Sequence, residues 1–377
     1  MEIGVVVHGP NIVDSGYALK IIKLLKNYGN VSAKLGGTMG RTAVIDNSLE
    51  DMIDISEKLF PSQSLKYFHD KNKDVIFLLN YGKSSVTGQV FGYKVINNYF
   101  DKATNRNIPI VQIERPGEED GSIIVWNGKA EDIEDRLAEK LKLNKITPLE
   151  IHNNYFKENS NDSTTRRSIH GVSSGENIMV NGIIIGKANE DSIVLVAEDG
   201  IIKDIEGGRI KHHGVEKLGE IDLNSAVVKT GLLRKSDVSP RILKSPKKNS
   251  NFKIGFINHA GEDVYSYNNC DLVVTVGDDT TLISSDILYR FDIPIIGIAD
   301  GDLDKVVEHG FKSEKSRIFK VEEGFDDIIG SQIHEKIFNG KDIIEIKSSK
   351  NQNDAMHFIQ NSVIEILNNM NCKYIIE

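Results

Sequence analysis

Apolar residues recur along the chain in short blocks, and the spacing inside each block predicts its element. Ile3 to Val7 is an unbroken apolar run, as in a strand covered on both faces. Asp14 and Ser15 offer N-caps; Ala18, Ile21, Ile22 and Leu25 then recur at helical spacing, with Gly29 as a stop. Val31 to Leu35, Val75 to Leu79, Ile108 to Ile113 and Ile123 to Trp126 read as further strands. Helices are expected after Ser48, whose spacing to Asp51 resembles a capping box, across Val90 to Phe100, and across Glu131 to Leu141. Strands separated by helices predict a parallel sheet with helices on both faces over residues 1–143.

The pattern then changes. Residues 144–170 are polar and lack apolar periodicity, which predicts a linker. Residues 171–233 carry short strands, at Ile178 to Ile185, Ile193 to Ala197, Ile201 to Ile205 and Ala226 to Val228. Asn181-Gly182 and Asp199-Gly200 are hairpin dipeptides between them, so a small β-rich domain is expected. Residues 234–251, with Ser245-Pro246-Lys247-Lys248, read as a second linker. Over 252–377 the alternation resumes, with strands at Lys253 to Ile257, Leu272 to Val276, Ile293 to Ile298 and Ile343 to Ile346. A helix is expected over Thr280 to Arg290, and Met356, Ile359, Val363, Ile366 and Leu367 form an amphipathic stripe read as core packing. The expected class is α/β: two Rossmann-like parallel-sheet domains flanking a small β-rich domain.

Composition narrows the function. The chain has 377 residues, enough for several domains, and its 46 basic and 55 acidic residues give a net charge of −9. That balance counts against a nucleic-acid partner, whose phosphates call for Lys and Arg. Apolar runs such as Ile76 to Leu79 are too short to span a bilayer, and no cationic leader precedes the first strand, so a cytoplasmic chain without a membrane partner is expected. Cys270 and Cys372 cannot form a disulfide framework or a cysteine-rich metal site. Nothing in the pattern fixes an oligomeric state.

Candidate chemistry lies in loops that follow strands. His8-Gly9-Pro10-Asn11 follows the first, Gly36-Gly37-Thr38-Met39-Gly40-Arg41-Thr42 the second, and Asn80-Tyr81-Gly82-Lys83-Ser84 the third. Loops at the carboxyl ends of a parallel sheet share one edge, where ligands bind. Gly9, Gly36, Gly37, Gly40 and Gly82 allow close backbone approach; Arg41 and Lys83 bring charge; Thr38, Thr42, Asn80 and Ser84 bring polar side-chain groups. The set suits a small anionic ligand or a nucleotide. It is not a P-loop, since Gly36 to Gly40 is one residue short and Arg41 stands where Lys is required. His8 reads as a turn or hydrogen-bonding residue.

The last domain holds acidic loops after two strands, Gly277-Asp278-Asp279-Thr280-Thr281 and Asp300-Gly301-Asp302-Leu303-Asp304. Joined by a helix, they fall on one edge of the sheet, where Asp278, Asp300 and Asp302 would crowd. Crowded carboxylates call for a cation, and Mg²⁺ with a bound phosphate is the expected occupant. Gly277, Thr280 and Thr281 are the ligand-binding candidates beside it, and Glu262, Asp263 and His259 follow the domain's first strand.

Gly277-Asp278-Asp279-Thr280 resembles the Gly-Gly-Asp-Gly-Thr loop of the NAD kinase and diacylglycerol kinase families, with Val276 and Asp279 replacing two glycines. That resemblance implies contact with nucleotide phosphates and a functional Asp278. Glu262 with Asp300-Gly301-Asp302 resembles the metal layout of Toprim domains, which would imply nucleic-acid phosphotransfer; the net charge and the short spacing to Glu262 count against it. Across the full length, Val7-His8-Gly9-Pro10, Leu35 to Asp46, Leu79 to Ser84 and Gly277 to Thr281 resemble a family of proteins from methanogenic archaea. That likeness implies an archaeal cytoplasmic setting and brings no mechanism. Two readings remain: a Mg²⁺-dependent phosphoryl-transfer or ATP-dependent ligase-type enzyme, or a non-catalytic metabolite-binding protein.

Overall fold

Each of the first strands alternates its side chains between two cores. In β1 (Glu2–His8), Val5 and Val7 enter one cluster and Val6 enters another on the opposite face. The computed structural model describes the chain except residues 102–106, 131, 156–163, 171, 182, 224–225, 227, 232–233, 235, 244–250, 259–263, 302–309 and 348–351. It divides into two units, Met1–Ser239 and Pro240–Glu377.

In the first unit β1 is joined by β2 (Asn30–Gly36), β3 (Val75–Asn80), β4 (Ile110–Glu114), β5 (Ser122–Asn127) and β6 (Asn144–Ile146). The sheet order is β2-β1-β3-β4-β5-β6. The first four strands are parallel, and β5 runs antiparallel to β4 with an irregular register, so the sheet is mixed where a parallel one was expected. Its helices are α1 (Asn11–Asp14), α2 (Tyr17–Leu25), α3 (Gly40–Asp46), α4 (Pro61–Asp70), α5 (Ser85–Phe100), α6 (Ile133–Leu141) and α7 (Pro148–Tyr155). Ile21, Ile22, Val44 and Leu137 pack on one face of the sheet, and Leu65, Phe68, Ile96 and Tyr99 on the other.

The helix expected after Ser48 does not form. Ser48 has φ +56°, and the chain instead runs along the outer edge of β2, where Leu35 N donates to Asp54 O and Asp54 N to Ala33 O. Satisfying an exposed strand edge outweighs the local helix signal. The same segment brings Asp54 and Glu57 to the buried Lys34, at 2.6 and 2.9 Å. A helix follows at α4, where Pro61 opens the first turn and Gln63 Oε1 accepts from Phe60 N at 2.8 Å.

The segment 144–170, expected as a linker, contributes β6, α7 and β7 (Thr164–His170). β7 joins β10 (Ser192–Glu198) and β11 (Ile201–Glu206) in a three-stranded sheet. A second sheet holds β8 (Asn177–Val180), β9 (Ile183–Ala188), β12 (Gly208–Ile210) and β13 (Val228–Thr230). Asp199 and Gly200 turn with φ +49° and +79°, as an Asp-Gly hairpin requires. His212 and His213 open α8 (His212–Leu218) and are exposed. Arg234, in the segment expected as the second linker, is buried and ion-paired with Asp14 and Asp46, with Nε donating to Asp14 Oδ2 at 2.6 Å.

The second unit holds β14 (Asn251–Ile257), β15 (Leu272–Val276), β16 (Ile295–Ala299), β17 (Arg317–Val321), β18 (Ile343–Lys347) and β19 (Tyr374–Ile376), in the order β18-β14-β15-β16-β17-β19. The central four are parallel and the two outer strands antiparallel. Its helices are α9 (Asp278–Tyr289), α10 (Asp326–Lys336) and α11 (Gln352–Asn369). Ile359, Val363, Ile366 and Leu367 of the amphipathic stripe are buried in the core, as expected. Among the described residues no helix is long and apolar enough to cross a membrane.

α5 sits unusually close to β4. A side chain at Gly88 would overlap the Glu114 carboxyl, and one at Gly92 would overlap the Gln112 amide. Gly92→Ala should therefore destabilise the protein by about 1–3 kcal/mol, the usual scale of overpacking. A urea midpoint unchanged from wild type would show that α5 has room to move.

Candidate functional site

Parallel register builds the first edge. His8 pairs with Gly36 on one side and Asn80 on the other, and Asn80 pairs with Glu114. Residues in register across a parallel sheet point to the same face, so His8, Asn80 and Glu114 meet as neighbours. His8 Nδ1 lies 2.7 Å from Asn80 Oδ1, and Asn80 Nδ2 donates to Glu114 Oε2 at 2.7 Å. Glu114, fully buried, also accepts from Gln112 Nε2 at 2.8 Å and from Gly82 N at 2.6 Å. Burial pushes its carboxyl up to about 7, while the bonds from Gly82, Asn80 and Gln112 oppose the shift. The His8 ring stacks on Phe91 with centroids 4.0 Å apart. Burial lowers its pKa to about 4, with Lys229 adding to the effect and the Asn80 bond resisting it.

The glycine loops converge around this row. Gly9 and Gly37 have φ +81° and +99°, and a Cβ on Gly37 would stand 3.8 Å from His8 Nε2. A Cβ on Gly40 would come within 3.1 Å of Gly9 O. Gly36 ends β2, and Ser84 caps α5 by accepting from Thr87 N at 3.3 Å. Thr38 precedes α3; Thr42 is buried and its hydroxyl donates to Met39 O at 3.1 Å. Arg41 is buried within α3. Lys83 is ion-paired with the buried Glu176 and donates to Thr230 at 2.8 Å, so its charge is already engaged. Burial opposes ionisation of Glu176, but the Lys83 bond prevails and lowers its pKa.

The second edge is acidic. Gly277, with φ +89°, turns the chain from β15 into α9 and sets Asp278 and Asp279 in the first helical turn. Asp278 and the Asp300 carboxyl, which follows β16, share a hydrogen bond, and Asp300 also accepts from Gly324 N at 2.8 Å. Burial, then the Asp300 bond and charge, then Asp326 and Asp279, push Asp278 up to about 7. Burial and Asp300 raise Asp326 as well. Thr280 and Thr281 are buried, and the Thr281 hydroxyl is spent on Thr275 at 2.9 Å. Asp302, like Glu262, Asp263, His259 and Asp304, lies outside the described residues. Among the described residues no group of three or more His, Cys, Asp or Glu is arranged to hold a metal. Cavities of about 480 Å³, along β18 and α11, and about 270 Å³, beside Lys34, are lined by other residues than these two edges.

Sequence reasoning missed Glu114, Gln112, Phe91, Glu176 and Lys229. A signal was available for the first two. Gln112 and Glu114 stand at alternate positions in an apolar strand, and Gly88 and Gly92 lie four apart in the helix that covers them. Glu176 and Lys229 carried no such signal, because their neighbours are distant in sequence.

A family model described as an uncharacterized protein conserved in archaea, DUF2117, matches residues 5–341. An uncharacterized protein of Methanocaldococcus jannaschii is 49% identical over 345 residues, covering 90% of this chain and 92% of that one. No solved structure matches.

Asp278 binds its proton more tightly in the folded than in the unfolded chain. Between the ordinary carboxylate range and about 7 the folded state therefore takes up more protons, and this group's contribution falls as pH rises through that window. Asp278→Asn should raise stability over wild type at pH 8 by about 1–3 kcal/mol, with the gain vanishing near pH 4. Equal denaturation midpoints for the two proteins at pH 8 would show that the carboxyl is not strained.

Proposed function

This chain belongs to that conserved archaeal family, and we propose that it is a Mg²⁺-dependent binder of a nucleotide or other phosphate-bearing ligand, acting in phosphoryl transfer or ATP-dependent ligation. The observation that carries the reading is the hydrogen-bonded Asp278–Asp300 pair with Asp326 beside it. Two carboxyl groups in bonding contact hold a proton between them unless a cation replaces it. Mg²⁺ characteristically takes one or two carboxylates and completes its shell with waters and ligand phosphates. Asp278 and Asp300 would hold the ion, which would neutralise charge developing on the phosphoryl group.

The first unit's loops supply an anion site of their own in this reading. Gly9, Gly37 and Gly82 offer backbone, Lys229 offers charge, and both sheets work as Rossmann-like platforms whose carboxyl ends receive ligands. The free, buried Cys270 and Cys372 fit a reducing, cytoplasmic compartment. One observation favours a second reading, non-catalytic ligand recognition. Lys83 already bonds Glu176 and Thr230, so it is not held ready to neutralise a reacting group.

Thermal shift and calorimetry on the full chain test the proposal. Mg²⁺ should raise the melting temperature, by the equivalent of about 2.7 kcal/mol at a hundredfold excess over Kd, and ATP should bind only with Mg²⁺ present. The Mg²⁺ response should disappear in Asp278→Asn. A variant that responds as wild type does would remove Asp278 from the site, and steady turnover of ATP would decide against the non-catalytic reading.

A further inference from the structure

The buried polar row of the first sheet has no part in the Mg²⁺ reading. We propose that His8 is a general base whose Nε2 accepts a proton from an O–H or N–H group of a small anionic ligand at the first unit's glycine loops, with Asn80 and Glu114 as positioning residues. The anionic character of the ligand rests on the reading given above; the base itself does not.

Hydrogen-bond polarity fixes the imidazole. Glu114 is fully buried, and Gln112 Nε2, Gly82 N and Asn80 Nδ2 all donate to it, so its oxygens act as acceptors here. The Asn80 amide must therefore turn its NH₂ toward Glu114 and its Oδ1 toward His8. An Oδ1 acceptor at 2.7 Å obliges His8 Nδ1 to carry the hydrogen. The lone pair is then on Nε2, on the side where Gly37 has only hydrogen and where Cδ2 and Nε2 would lie 3.5 and 3.8 Å from a Cβ. Phe91, stacked at 4.0 Å and 16°, fixes the plane of the ring.

The proton balance is simple. An N–H bond forms at Nε2 as the ligand's O–H or N–H bond breaks, and the electron pair stays on the ligand atom. Nδ1 keeps its hydrogen, and no proton passes through the Asn80 amide. The imidazolium so formed faces the Glu114 carboxyl across the Asn80 dipole. Lys229 is the charged group that acts on the ring from β13, and it disfavours the imidazolium. An anion seated beside Lys229 would offset that effect and make His8 more basic, so the base would strengthen when its ligand is bound.

Nitrogen-15 NMR of the histidine side chains in the free, full-length chain is the test, with His8→Gln assigning the signal. The Nδ1–H tautomer should dominate at pH 7, and His8 should stay neutral until the pH falls toward 4. Glu114→Gln should reduce the tautomer ratio about tenfold, because a neutral amide no longer orients Asn80. Inorganic phosphate, added as the probe, should shift the Nε2 signal and raise the titration midpoint. An Nε2–H tautomer in the wild-type chain overturns the base outright, whether or not Glu114→Gln folds. An unchanged ratio in folded Glu114→Gln overturns the positioning role. The expected tautomer with no response to phosphate overturns the anionic ligand alone, and Mg²⁺ binding at Asp278 stands or falls separately.

Discussion

The first unit is organised around a carboxylate that has no access to water. Glu114 ends β4, fully buried, and everything near it is arranged to supply donors or to leave space. Gln112, Asn80 and the Gly82 backbone give it hydrogen bonds. Gly88 and Gly92 let α5 descend onto it, and Trp126 orients Gln112 by donating to its Oε1 at 3.0 Å. A buried charge without such partners would cost several kcal/mol, so these positions are not independent of one another. The same requirement orients Asn80, and through Asn80 the ring of His8.

The second unit solves the opposite problem. At its acidic edge the neighbours of Asp278 are carboxyl groups, and the Gly324 N–H donates to Asp300. Repulsion and burial act in the same direction on Asp278, where at Glu114 burial is opposed by three donors. Glu114 is a carboxyl whose acceptors are met by three donors built into the fold. Asp278 and Asp300 are two carboxyls in contact, whose repulsion either a shared proton or a cation relieves.

The small β sheets are tied to the first sheet by charge. Lys83, from the loop after β3, reaches Glu176 and Thr230, and Lys229 of the same β13 strand acts on His8. Arg234 reaches back to Asp14 and Asp46. Removing one partner of so buried a pair costs more than forming the pair contributes, which makes these links intolerant of substitution. An anion competing for Lys83 would have to displace Glu176.

Local pattern was enough for β1–β5, β8–β11, β14–β16 and β18, for α2, α5, α6, α9 and α11, and for the glycine and acidic loops, because apolar periodicity and turn chemistry act over a few residues. It placed His8, Asn80 and Gly36 at strand ends, and Asp278 and Asp300 after neighbouring strands, since parallel order brings those ends to one edge. It failed at Ser48 and at 144–170, where pairing with a distant strand overrode the nearby signal. Partners were decided by tertiary structure alone. That Lys83 is neutralised by Glu176, that Arg234 is buried, and that Glu114 lies beneath Gly88 depend on register and packing between segments far apart in sequence. Periodicity specifies which face a residue occupies; only the folded chain specifies what that face meets.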